Sequence, residues 1–276
     1  LRQRRELYRY AGWLSIILGW LSHDLGDPLA AEAHCVDAWE HGWQADDGEI
    51  CGWAMDTAAT IAMYTDQPER ARQAAERGLA KAPATSAAAV RLACQLTRAH
   101  GRLRQPRPFD EALANTRRQL DRLPEQGSGL FSADAGRIAS YAATASIWLN
   151  RPDQAVTYAH EALDFYASSA PGQRSPTREA ISRLDLALAL TAMKSPDGAA
   201  EQATHALVCE RVTGTVLARA REVDAELQRS YPKLPAARDV HDRYLDAARR
   251  QGGVVQVSGP SAGQAVPPAT GPGWPR

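Results

Sequence analysis

Three kinds of side chain in this chain are equipped for chemistry: seven histidines, four cysteines and an acidic run, Asp46-Asp47-Gly48-Glu49. The histidines, His23, His34, His41, His100, His160, His205 and His241, are scattered. His34 and His41 are seven apart and share a helical face with no carboxylate or thiol at a ligand-forming interval, so they read as structural or surface groups rather than metal ligands. The acidic run has the order of a calcium loop at its start, but the remaining positions of such a loop do not follow. Carboxylates there serve instead to complement the N-terminus of a helix beginning near Ile50. Cys35, Cys51, Cys94 and Cys209 have no paired short spacing, and Cys35 falls on a face of alanines where a free thiol acts as a small hydrophobe. That usage fits a reduced, cytoplasmic protein. No Gly-x-Ser-x-Gly, Walker glycine loop or dinucleotide fingerprint is present. The sequence therefore implies no enzyme, no metal and no cofactor, and leaves binding as the chemistry to account for.

Binding residues need elements to hold them, and the elements repeat. Asp27-Pro28-Leu29-Ala30-Ala31 returns as Gln67-Pro68-Glu69-Arg70-Ala71, Arg151-Pro152-Asp153-Gln154-Ala155 and Ser195-Pro196-Asp197-Gly198-Ala199. Each proline opens a helix carrying small residues onward, as Ala31/Cys35/Ala38, Ala71/Ala75/Gly78, Ala155/Ala159/Ala162 and Ala199/Ala203/Ala206. The i, i+4, i+7 spacing puts each set on one face, where a neighbouring helix can approach closely. Spacings of 40 (Pro28 to Pro68, and on to Pro108) and 44 (Pro108 to Pro152 to Pro196) define a unit long enough for two helices and two turns. Trp13 and Trp53, also 40 apart, head the first helices of two units.

Taken in order, residues 1–10 are the end of a linker or a leading helix, and their four arginines read as a solvated face. Residues 11–250 form the repeat domain. In its first helix Trp13, Leu14, Ile17, Leu18 and Leu21 make an apolar stripe at helical spacing. The third unit is irregular: Gly101 to Pro108 reads as a lengthened connection, and Asp110 to Leu123 keeps only Ala112 of the small-residue set. A flexible break is expected at 124–129, a serine cap at Ser175, and a disordered Gly/Pro-rich tail at 251–276 in which Trp274 is a candidate short contact. The formal net charge of zero gives no global field to hold nucleic acid or an anionic membrane. The most apolar stretch, Ala11 to Leu21, is about half the length of a membrane span.

Helix pairs with a Gly-Asp-Pro type turn, a following alanine, small residues four and seven further on, and Gly19, Ala59, Ala143 and Ala187 at matching places in the first helices resemble tetratricopeptide repeats. The resemblance implies an all-α fold, a right-handed α-solenoid of about five to six helix pairs, whose first helices line a concave groove. Groove candidates are then the first-helix residues not used in packing between repeats: Trp13, Trp20, His23, Trp53, Asp56, Thr60, Tyr64, Arg137, Tyr141, Thr144 and Trp148. Aromatics there stack on a peptide, protein segment or small molecule, and the Arg and Asp fix its polar ends. The competing role for each tryptophan is to fill a gap between repeats. With Trp13-Leu14-Ser15, Gly26-Asp27-Pro28 and the Trp53 to Pro83 unit, the N-terminal half is further similar to the C-terminal portion of Xre-type bacterial helix-turn-helix regulators. That likeness implies a sensor and dimerisation module, a homodimer that contacts DNA only through an N-terminal domain not present here. The alternative is a free-standing adaptor that holds a partner's peptide.

Overall fold

The computed structural model describes residues 2–124, 129–170, 174–208 and 212–257, with side chains described to residue 250. Among them are twelve α-helices and no strand. The helices are α1 (Arg2–Asp24), α2 (Pro28–Ala45), α3 (Gly48–Tyr64), α4 (Pro68–Leu79), α5 (Ala87–Arg102), α6 (Pro106–Leu120), α7 (Ala135–Trp148), α8 (Pro152–Ser168), α9 (Pro176–Ala192), α10 (Pro196–Leu207), α11 (Gly214–Ser230) and α12 (Pro235–Val257). They pack as six consecutive pairs in an all-α solenoid.

Five of the six turns within pairs are the same structure. Gly26, Asp66, Arg104, Asn150 and Lys194 all have φ between 55° and 80°, each two residues before the proline that opens the second helix. The residue after each closes a bond back across the turn: Asp27, Gln67, Gln105, Arg151 and Ser195 donate to the carbonyls of Ser22, Ala62, His100, Ser146 and Leu190 at 2.8–2.9 Å. This left-handed cap satisfies carbonyls that the ending helix leaves free, and proline in the next first turn has no N–H to lose. Only the first pair uses glycine for it; the others hold a side chain in a conformation that L-residues adopt at some cost.

The third unit follows the same rule, which corrects its assignment from sequence. Its phase is set by Pro106, not Pro108, and the turn 103–105 is as short as the others. With Pro106 as origin the small set becomes Phe109, Leu113 and Thr116, all buried, while Ala112 is half-buried beside them. Bulk has replaced alanine on that face.

The odd-numbered helices form the inner layer. Each contacts the odd helix of the next pair, from α1 on α3 to α9 on α11, whereas the even helices pack mainly on their own partner and on the next first helix, except α10, which packs more on α12 than on α11. Burial follows. In α3 every residue from Ile50 to Met63 is buried, and α5, α7 and α9 are buried over most of their length. α4 buries only Ala71, Ala74, Ala75 and Gly78. A helix apolar all round belongs inside, and one with a single small-residue stripe belongs on the outer layer. The inner helices come very close: a Cβ added to Gly101 of α5 would lie 2.5 Å from that of Ala145 in α7.

Of the further expectations some are met and others change. The first ten residues are helix from Arg2, and Arg5 and Arg9 pair with Asp46 and Asp47 at 2.5 and 2.8 Å. Asp47 also caps α3, accepting from the amides of Glu49 and Ile50. The apolar stripe of α1 points the other way from that expected: Gly12, Ser15, Ile16 and Gly19 are buried, while Leu14, Ile17, Leu18 and Leu21 are exposed. The smaller residues win the inner face because α1 must lie close to α2 and α3; Ile50 Cγ2 already sits 2.7 Å from where a Gly12 Cβ would be. Ser175 occupies a cap position without a side-chain cap bond. α12 runs to Val257, past the expected start of the tail at residue 251. Residues 125–128 of the expected break, Cys209, and the tail from 258 with Trp274 lie outside the described residues.

Residues 129–134, on the far side of that break, turn inward across the inner layer. Ser132 and Ala133 are buried, and Phe131 meets the rings of Trp13 and Trp53 edge-on at centroid distances of 4.7 and 5.2 Å. The carbonyls of Leu130 and Ser132 accept from Arg91. The long connection of the third unit is therefore this one, between its second helix and α7.

Cys35, Cys51 and Cys94 are free and buried. Burial raises all three thiols, Cys51 to about 11 and Cys94 to about 12. Above about pH 9 the unfolded chain therefore loses protons that the folded chain keeps, and stability falls as the pH rises. Native protein should be inert to an aromatic disulfide reagent at these three thiols at pH 8 and titrate them only after unfolding. Denaturation midpoints should drop as pH rises from 9 to 11; a flat profile would contradict this.

Candidate functional site

Two joined cavities open on the inner layer. The first, about 590 Å³, is walled by Trp20, Thr60, Tyr64, Arg137 and Arg178, by the 129–134 segment, and by Phe165 and Tyr166 at the end of α8. The second, about 420 Å³, is walled by Tyr64, Arg98, Tyr141, Thr144, Trp148 and Arg219. Tyr64, Arg178 and Ile181 border both. Each volume suits a small molecule or a few residues of a peptide.

Seven of the eleven sequence candidates, Trp20, Thr60, Tyr64, Arg137, Tyr141, Thr144 and Trp148, line these cavities. His23 stands behind them, half-buried, its ring 5.2 Å from Tyr64 and 6.2 Å from Trp20. Burial lowers its pKa, and Arg98 adds to that against the opposing pull of Asp24. The other three do not face the groove. Trp13 is covered by Phe131. Trp53 is 0% exposed, held between Phe131 and the Arg91 guanidinium and donating to Glu49 Oε1 at 3.4 Å. Asp56 is also 0% exposed: one carboxylate oxygen accepts from Arg91 at 2.6 Å, the other from Gln95 at 2.9 Å. These three are structural, because the inner helices pack closely enough to swallow any residue pointing between them.

Beneath the groove runs a row of arginines of which sequence reasoning named only Arg137. Arg91 is paired with Asp56. Arg219 is paired with Asp185, which also accepts from Thr144 at 2.6 Å, and with Glu222 at 2.6 Å. Burial raises the Asp185 carboxyl, opposed by Arg219 and by its hydrogen bonds. Arg98, Arg137 and Arg178 surround Tyr141 differently. The Arg98 and Arg178 guanidinium carbons are 4.6 and 4.8 Å from its ring centroid, and Arg178 Nη2 donates to its hydroxyl at 3.0 Å. Arg137 lies one turn before it on α7. Burial alone would raise the Tyr141 pKa, yet the positive charges of Arg178, Arg91, Arg98 and Arg137 outweigh it and the net shift is downward. Arg137 is itself lowered to about 10, by burial first and then by Arg91 and Arg178. Arg98, Arg137 and Arg178 thus gather positive charge around Tyr141, while Asp24 and Asp134 stand on the wall of the first cavity and Asp66 and Glu222 on that of the second.

Among the described residues Trp20 Nε1, Arg98 Nε, Arg137 Nε and Tyr166 Oη around the groove are buried without a hydrogen-bond partner, as are atoms elsewhere in the fold such as Arg91 Nε, Gln119 Oε1 and Arg219 Nη2. Each such donor costs about 1–3 kcal/mol while it stays unpaired. Among the described residues no cluster of His, Cys, Asp and Glu is arranged to hold a metal ion, and no helix is long and apolar enough to cross a membrane. The chain matches no protein-family model, and no curated protein matches its sequence.

Proposed function

We propose that this chain is the non-catalytic sensing and dimerisation module of a bacterial transcriptional regulator, binding a peptide or small ligand in the groove of its inner helices. DNA would be contacted only by a helix-turn-helix domain outside these residues. The pair of joined cavities, walled by aromatic rings and buried unpaired donors, carries the reading: such a surface is costly to maintain without an occupant. A ligand that bridges α1, α3, α7 and α9 favours one spacing of those helices over another and so biases the whole array.

The outer face of α1 supports the dimerisation half. Leu7, Leu14 and Leu21 lie seven apart, with Tyr10 and Ile17 three after the first two, and Leu18 and Leu25 flank them. That is a heptad seam, and it is open: Leu7 and Tyr10 are each 68% exposed. The seven side chains present on the order of 700 Å² of apolar surface, close to what each partner gives a standard interface. A second copy offers the same seam, which a two-fold contact requires. Light scattering should give a dimer mass for the 276-residue chain and a monomer mass for Leu14→Glu with unchanged helicity. A monomeric parent would remove the dimerisation half of the proposal.

A further inference from the structure

Residues 129–134 cross the inner layer without being part of a helix. The segment closes its own turn: Ser132 Oγ donates to the Gly129 carbonyl at 2.8 Å, and Gly129 has a φ of 88°. Phe131 reaches the helices beneath, edge-on to Trp13 of α1 and Trp53 of α3. The carbonyls on either side of it, of Leu130 and Ser132, accept from Arg91 of α5 at 3.3 and 3.4 Å. Among the described residues no backbone amide of 129–134 donates a hydrogen bond. One ring against two indoles and two carbonyls on one guanidinium is the way a bound peptide is held.

The surface underneath keeps its polar partners without the segment. Arg91 keeps Asp56 at 2.6 Å as its counterion, and Trp53 keeps both Glu49 and the Arg91 guanidinium. Phe131 itself is only half-buried, so it is open to competition from solvent. The chain beyond it is anchored separately: Ala133 packs in the cluster of α5, α6 and α7, and Asp134 caps α7. A segment with so few attachments opens at lower cost than the helices around it.

We propose that Gly129–Ser132 is an autoinhibitory strap: Phe131 plugs, in cis, an aromatic pocket formed by Trp13, Trp53 and Arg91 that an aromatic side chain of a partner's extended segment takes when the strap is displaced. The competitor must offer the same groups, a ring with a backbone carbonyl on either side of it. A tethered plug acts at millimolar effective concentration or above, so only a competitor that is abundant or makes further contacts displaces it. The strap stands independently of what fills the two open cavities, although Leu130 and Ser132 wall the first of them.

The test supplies the strap in trans. Phe131→Ala should empty the pocket and leave the array helical. A peptide of residues 129–134, Gly-Leu-Phe-Ser-Ala-Asp with both ends blocked, should bind that variant in calorimetric titration about 10- to 100-fold more tightly than the same peptide with alanine for phenylalanine, the range for burying one such ring. It should also raise the variant's melting temperature. The parent chain, its pocket filled, should bind the phenylalanine peptide at least about tenfold more weakly than the variant does. Adding Trp13→Ala to the variant should bring the preference between the peptides toward unity, which locates the peptide in this pocket. Phe131→Leu, a weaker plug that keeps most of the apolar volume, should fall between variant and parent, and it decides the matter if the alanine chain does not fold. Binding of both peptides alike, binding of neither, equal binding by parent and variants, or a preference that survives Trp13→Ala overturns the strap and makes Phe131 an ordinary packing residue.

Discussion

Replacing Asp56 by alanine should destabilise the chain by about 3–5 kcal/mol, the range for stripping one partner from a buried ion pair. The loss has identifiable parts. Arg91 would keep a full charge with no counterion at 0% exposure. Gln95, which donates to both the Asp56 carboxylate and Thr60, would lose one of its anchors. The carbonyls of Leu130 and Ser132, which accept from the same guanidinium, would be held less firmly. The double variant Asp56→Leu with Arg91→Met should recover most of the loss, since replacing both ions by apolar groups avoids the uncompensated charge. Urea denaturation followed by circular dichroism checks both; a single-variant loss under about 1 kcal/mol would show that Arg91 finds another partner.

Trp53→Ala and Trp20→Ala should behave differently. Trp53 fills the space between α3, α5 and Phe131 with no exposed surface, and its truncation should cost about 3–5 kcal/mol. Trp20 is half-buried at the wall of the first cavity with an unpaired indole N–H. Its truncation should cost clearly less stability, on the order of 1–2 kcal/mol, and weaken binding to whatever occupies the cavity. Denaturation curves and peptide titration on the two variants separate packing from recognition. Equal stability losses would mean that Trp20 is as structural as Trp53.

That contrast shows where sequence stops being informative. The repeat, the left-handed turns and the small-residue faces are local and periodic, so they were legible from the prolines and alanines alone. Asp56 and Thr60 are on one inner helix and equally plausible as ligand contacts; which of them is buried depends on how near α5 comes, and that distance is set by the other helix. Two of the four missed arginines, Arg91 and Arg98, have a more specific cause. Counted from Pro106, Arg91 and Arg137 each lie 15 residues before their proline, and Arg98 matches Trp20, Thr60 and Thr144 at 8. Counting from Pro108 displaces α5 by two residues, which turns its side chains about 200° and hides both arginines from the inner face. The α1 stripe failed differently. Apolar periodicity marks a face that seeks a partner without saying that the partner is in the same chain.

A stack of helix pairs is ordinarily a one-dimensional object, stable as a sum of units and neighbours, so that an end pair can melt without the rest. Phe131 breaks that rule. Lodged against Trp13 of the first pair and Trp53 of the second, and leading directly into α7 of the fourth, it ties together elements that the stack alone would let separate in turn. The first pair cannot fray without uncovering Phe131, and the segment carrying Phe131 cannot lift without exposing both indoles and releasing Arg91. The N-terminal half of the array thus behaves as a single cooperative unit, closed by a latch, and the six pairs divide into a locked block and a more independent C-terminal end.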